Sequence, residues 1–171
     1  RFVIMGGPPC HGFSLSTTRN RNMSNGKNFL FLEFVRFVQE LKPIWFVLEN
    51  VWGLTKMEEG KIKDMIDDYF RAIGYEVNSK VLWASDYGVP QNRNRFFMVG
   101  NLNGIKFEFP EPYGRKITVE EAIGDLPDLE NGEMLEKGNY KVPRAKASEY
   151  AQLMREHSHF PTQNFVSRNN E

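Results

Sequence analysis

Cysteine is almost missing from this chain: Cys10 is the only one in 171 residues. That excludes an internal disulfide and makes a reducing compartment, the cytoplasm, the expected setting. Histidine is nearly as scarce. His11, His157 and His159 have no convincing metal-ligand spacing with the lone thiol, so no zinc site is expected. Net charge is absent as well. The 22 Lys and Arg balance 22 Asp and Glu, which removes any global electrostatic argument for a polyanionic partner. No apolar run reaches the length of a membrane span and no signal-peptide layout opens the chain, so no membrane is expected as a partner. Internal repeats are lacking too. The chain opens with Arg1 directly on an apolar run, without an initiator Met, and reads as a piece of a longer protein.

What is present fits one globular domain, or one domain and the start of another, with 40% hydrophobic residues to fill a core. Charge is uneven along the chain. Residues 1–32 hold Arg1, Arg19, Arg21 and Lys27 and no acid, whereas residues 117–136 hold seven Asp or Glu and no Lys or Arg. A polyanion could meet the first stretch and should avoid the second; uneven surface charge without a partner is the alternative.

Residues 2–5 predict a short buried strand, followed by a long polar loop over 11–27 whose Gly, Ser and Asn suit a lid or binding loop. Asn28 can cap a helix to about Lys42, with Leu30, Phe34, Phe37 and Leu41 on its apolar side. Pro43 stops it. Ile44–Leu48 then predicts a strand buried on both faces, as in a parallel sheet. Ile62, Met65, Ile66, Tyr69, Phe70 and Ile73 follow the helical repeat up to Gly74. Strands are expected at 76–82 and 95–100, and short helices near 118–124 and 148–156. The strand–helix–strand–helix–strand order predicts an α/β fold with a mostly parallel sheet. After Gly100 the texture turns Pro-, Gly- and charge-rich, which predicts one unit over 1–105 and another over 106–171.

The chemistry gathers at strand ends. Open α/β sheets bind ligands at the carboxyl ends of their strands. Cys10 follows Phe2-Val3-Ile4-Met5 and the turn Gly6-Gly7-Pro8-Pro9 there, and Glu49 follows Ile44–Leu48. Neighbouring strands lie ~4.8 Å apart, so thiol and carboxylate should emerge side by side. Cys10 has the turn and basic surroundings of a nucleophile, with a buried structural thiol as the alternative. Glu49 should sit at a dry edge, where burial raises a carboxylate's pKa; a capping or salt-bridging Glu is the alternative. Gln91, Arg93 and Arg95 alternate into a strand and should share a side, as a donor array for carbonyl, carboxylate or phosphate oxygens, or as ordinary surface arginines.

Gly7-Pro8-Pro9-Cys10 through Ser14, then Glu49-Asn50-Val51, then Gln91-Asn92-Arg93-Asn94-Arg95 resemble, in order and rough spacing, the cytosine-C5 DNA methyltransferases. Asp86–Pro90 and Leu30–Arg36 are similar to that family too, and the resemblance covers residues 1 to about 128. It implies part of a Rossmann-like, S-adenosylmethionine-dependent methyltransferase sheet, with a catalytic half over 1–105 and the start of a target-recognition region over 106–171. It also implies that Cys10 attacks C6 of a cytosine flipped from duplex DNA, so that C5 takes a methyl group from S-adenosylmethionine. Glu49 would bind ring N3 and the exocyclic amine, and Arg95 the O2, with Arg93 in support. Pro8 and Leu30 would lie toward the cofactor, and Pro9, Ser14, Ser16, Arg19, Asn50 and Gln91 toward the DNA. Asn50 would also brace the cysteine turn.

Two departures stand out. His11 follows the nucleophile where the family usually has Gln, and the family's upstream cofactor motifs and closing motifs are absent from this sequence. The isolated chain is therefore expected to be inactive and to bind cofactor poorly, with a missing N-terminal half or partner chain to be supplied. An RNA-methylating relative, a silent or split half-enzyme, and a thiol hydrolase are the competing classes. The expected location is the bacterial cytoplasm, at the nucleoid, within a restriction–modification pair, a phage or an orphan system.

Overall fold

The computed structural model describes residues 2–8, 30–156 and 160–165. They fall into two compact units, one of residues 1–84 with 92–112 and one of residues 85–91 with 113–171.

The first unit is built on a four-stranded sheet in the order β1-β2-β4-β3, with β1 at Val3–Gly6, β2 at Trp45–Val51, β3 at Glu76–Trp83 and β4 at Asn94–Asn101. β1 pairs with β2 in parallel, but β4 runs antiparallel to both β2 and β3. The expected mostly parallel sheet is thus a mixed one. The cause lies in the connections. Helix α1 (Leu30–Leu41) carries the chain from β1 to β2, and α2 (Lys61–Ala72) carries it from β2 to β3. Only residues 84–93, too few for a helical crossover, join β3 to β4, so β4 must return antiparallel and takes the slot between β2 and β3.

Both crossovers step the same way across the sheet, and right-handed crossovers of that kind put their helices on one face. Phe34, Val35 and Val38 of α1 and Ile62, Ile66 and Phe70 of α2 indeed share one core with Phe46, Leu48, Phe96 and Met98. β2 therefore alternates: Phe46, Leu48 and Asn50 are buried, while Trp45, Val47, Glu49 and Val51 are only partly so. The expected burial on both faces does not occur among the described residues. The aromatic centre is tight. Phe46 stacks on Phe70 at 4.1 Å, and Phe34 meets both edge-on at 6.1 and 6.2 Å.

This packing also rotates α1. Phe37 and Leu41, placed on the apolar side by periodicity, are half-exposed, because Phe34, Val35 and Val38 take the inner face. A helix with apolar residues nearly all round does not announce which of them the sheet will accept. α2 ends as expected. Gly74 is left-handed at φ 92°, and bonds from Tyr75 N–H to Phe70 O and from Gly74 N–H to Arg71 O close its last turn. At the end of β4, buried Asn101 accepts from the N–H groups of Asn103 and Ile105. Phe107 then packs edge-on to Trp45 at 6.1 Å.

The second unit contains α3 (Val119–Ile123), the antiparallel pair β5 (Met134–Lys137) and β6 (Thr162–Phe165), and α4 (Glu149–Met154). Thr118 and Glu121 cap α3 reciprocally, and the Ser148 hydroxyl caps α4 by accepting from Ala151 N–H.

Candidate active site

The parallel register of β1 and β2 pairs Gly6 with Leu48, so the turn at Gly7-Pro8 stands beside Glu49-Asn50. Alternation sends these two side chains to opposite faces. Asn50 goes to the core side. It is 5% exposed, donates from Nδ2 to the Pro8 carbonyl at 3.1 Å and accepts from Val51 N–H at 2.8 Å. A buried amide so engaged holds the strand-end turn against β2.

Glu49 goes to the other face. Its neighbour there follows from the β2–β4 register, which pairs Glu49 with Phe97 and Val51 with Arg95 and so puts Arg95 diagonally opposite. Glu49 Oε1 lies 2.9 Å from Arg95 Nε, with 40% of the carboxylate side chain and 24% of the arginine side chain exposed. Arg95 also donates from Nη1 to its neighbour's carbonyl, Asn94 O, at 2.8 Å. The dry edge expected for Glu49 is thus replaced by a half-open, ion-paired one, because the helices cover the opposite face.

Two glycines make this closeness possible. A Cβ on Gly7 would stand 3.0 Å from Glu49 Oε2, and a Cβ on Gly6 would meet the Phe34 ring at 2.6 Å. The sequence shows the Gly-Gly turn but not what presses on it; the signal lay in its pairing with a Glu that directly follows the apolar run Ile44–Leu48, which the structure places inside β2.

Cys10, with Pro9, His11, Ser14, Ser16 and Arg19, lies outside the described residues. Leu30 is the first residue of α1, and Pro8 is half-buried at the turn. Of the alternating donors, only Arg95 is inside β4. Arg93 is exposed in the preceding loop, its carbonyl accepting from Ala84 N–H at 2.7 Å, and Gln91 is exposed and belongs to the second unit. Strand alternation therefore does not extend back to Gln91.

A carboxylate and a guanidinium paired at a strand end, beside a turn held by a buried amide, form a face that can accept and donate hydrogen bonds to a planar polar ring. The family model for C-5 cytosine-specific DNA methylases matches residues 3–170. The Type II methyltransferase M1.HphI of Haemophilus parahaemolyticus is 44% identical over 133 residues, covering 77% of this chain and 36% of that protein. The Type II methyltransferase M.XorII of Xanthomonas oryzae pv. oryzae is 41% identical over 164 residues, covering 94% and 38%. A solved structure described as a DNA modification methyltransferase encoded within an E. coli prophage superposes with a TM-score of 0.64 at 29% identity, covering 88% of this chain and 43% of that one. The chain thus spans well under half the length of each.

Proposed function

Because the chain belongs to the C-5 cytosine-specific DNA methylase family, we propose that it forms the base-handling part of an enzyme that transfers a methyl group from S-adenosylmethionine to C5 of a cytosine in duplex DNA. In this reading residues 1–105 are the catalytic half and residues 106–171 begin the target-recognition region. The observation that carries it is the Glu49–Arg95 pair at 2.9 Å beside the Asn50-held turn.

The Cys10 thiolate adds to C6 of the flipped base, which makes C5 nucleophilic. Glu49 meets ring N3 and the exocyclic amine, while Arg95 donates to O2; their mutual ion pair keeps both groups at one ring edge before the base arrives. Arg93 supports Arg95. Pro9, Ser14, Ser16, Arg19 and Gln91 face the DNA, and Asn50 acts through the Pro8 carbonyl to position the turn that carries Cys10. Once C5 is methylated its proton leaves, and elimination from C6 returns the thiolate. Toward the cofactor the chain offers Pro8 and, from the sequence, Leu30. That fits one apolar edge of S-adenosylmethionine, which when bound supplies the methyl group. The cytoplasm of a bacterial host, at the nucleoid, is the corresponding location.

The chain, supplemented with the N-terminal half or partner chain expected from its sequence, is incubated with S-adenosylmethionine labelled in its methyl group and with duplex DNA of varied sequence, and the product is digested to nucleosides. Label in 5-methylcytosine supports the reading. Label in another base, or in RNA cytosine alone, refutes it.

A further inference from the structure

Gln91 and Arg93 sit on the link between β3 and β4, residues 84–93, and a segment from beyond β4 holds that link at its middle. The link begins with a 3₁₀ turn, Ala84–Tyr87, and its base is closed by the bond from Ala84 N–H to Arg93 O at 2.7 Å. Farther along, Gln91 N–H donates to Val89 O at 2.7 Å. Between these bonds stand Asp86, Tyr87 and Gly88, and all three meet Tyr113 or Lys116. Tyr113 N–H donates to Asp86 O at 2.8 Å, and Lys116 Nζ lies 3.3 Å from Asp86 Oδ1. The Tyr113 ring stands edge-on to Tyr87, with centroids 6.1 Å apart, and a Cβ on Gly88 would come within 3.3 Å of it. Gly88 has φ 78°, so the ring covers a backbone turn that favours glycine. These contacts with Tyr113 and Lys116 all fall within the second unit.

We infer that Tyr113 and Lys116 are positioning residues for the base-handling site, acting through Asp86, Tyr87 and Gly88 on the stretch from Gln91 to Arg93 that follows them. The consequence for methyl transfer rests on the function proposed above; the clamp itself does not. An exposed ion pair is weak alone, and so is a single edge-on ring pair. Here both converge with a backbone hydrogen bond on three consecutive residues. Together they restrict the middle of the link, which cuts the conformational freedom to be lost when a substrate is aligned. Tyr113 is 71% exposed and the Lys116 side chain 67%, so the clamp orders the link without belonging to a buried core.

Hydrogen exchange read by mass spectrometry tests the clamp in the chain itself. Tyr113→Ala combined with Lys116→Gln should speed exchange of the peptide covering 84–93 about tenfold and leave the α1 and α2 peptides at the parent's rate, because only local opening is favoured. The chain supplemented with the N-terminal half or partner chain expected from its sequence then tests the consequence. In single-turnover methyl transfer at saturating duplex the same variant should be about tenfold slower, with half-saturation within about threefold of the parent's. Tyr113→Phe combined with Lys116→Arg keeps ring and charge and should restore both readings. Unchanged exchange in the first variant overturns the inference, as does faster exchange with unaltered methyl transfer, or a conservative variant no better than the first. Faster exchange in every peptide together with a lowered melting temperature would make the two residues merely structural and overturns it too. A parent that methylates no cytosine refutes the proposed function, and exchange alone then decides the clamp.

Discussion

At the scale of single residues, Glu49 and Asn50 divide the work by parity. One faces an arginine on the open side of the sheet, and the other holds the Pro8 carbonyl beneath it. Glu49→Gln keeps the shape but loses the charge that pairs with Arg95. It should slow methyl transfer about 100-fold or more while changing duplex affinity less than about threefold, as single-turnover kinetics and anisotropy would show. Equal losses in both would make Glu49 structural. Asn50→Ala removes the hydrogen bonds that the buried amide makes to the half-buried Pro8 carbonyl and Val51 N–H, and should cost about 1–3 kcal/mol in urea unfolding. The cost should be accompanied by slower attack of Cys10 on the base; stability loss with normal attack would remove its positioning role. Of this site, the closeness of the Gly-Gly-Pro turn to Glu49-Asn50 was legible in the sequence. The Glu49–Arg95 contact was not, because it depends on β4 lying antiparallel beside β2, which no local pattern reveals.

At the scale of elements, the sheet tolerates little added volume. Gly100 lies opposite Phe46 in the β2–β4 ladder, and a Cβ there would stand 1.9 Å from the Phe46 ring. Gly100→Ala should therefore destabilise the protein by about 1–3 kcal/mol through overpacking, read as a lowered melting temperature; a neutral result would mean that the Phe46–Phe70 stack can slide. The α3 cap gives a pH signature. Hydrogen bonds from the Thr118 backbone N–H, then from its hydroxyl, hold the Glu121 carboxyl below the ordinary glutamate range, with Arg115 adding a smaller pull. A lowered folded-state value means that the cap's contribution is complete above the ordinary glutamate pKa and is lost as pH falls through the lowered one. Glu121→Gln should flatten that part of the acid limb of stability, measured by urea midpoints from neutral to acidic pH. Helix positions and the stop of α2 were legible because periodicity and Gly74 are local signals. The rotation of α1 was not, since it is set by how Phe34 fits between Phe46, Phe70 and the bare Gly6.

At the scale of the whole molecule, strand order carries the account. A sheet of order β1-β2-β4-β3 brings the Gly-Gly-Pro turn, the Glu-Asn pair and Arg95 to one region from three places distant in sequence. A parallel β1–β2 neighbourhood was legible from the intervening helix; the short 84–93 connection allows only an antiparallel return of β4, but its slot between β2 and β3 was not legible, because no local pattern sets strand order. Cys10→Ser should abolish methyl transfer while leaving duplex binding largely intact, and joint loss of both would point to a structural thiol. The most direct measurement of the central claim is intact-mass analysis of the chain, supplemented with the N-terminal half or partner chain expected from its sequence, after incubation with S-adenosylmethionine and duplex DNA carrying 5-fluorocytosine, which cannot release its C5 substituent as a proton. The account predicts a covalent protein–DNA adduct whose peptide map places the bond on Cys10. A protein that methylates the unmodified DNA yet forms no adduct, or forms one at another residue, would contradict it.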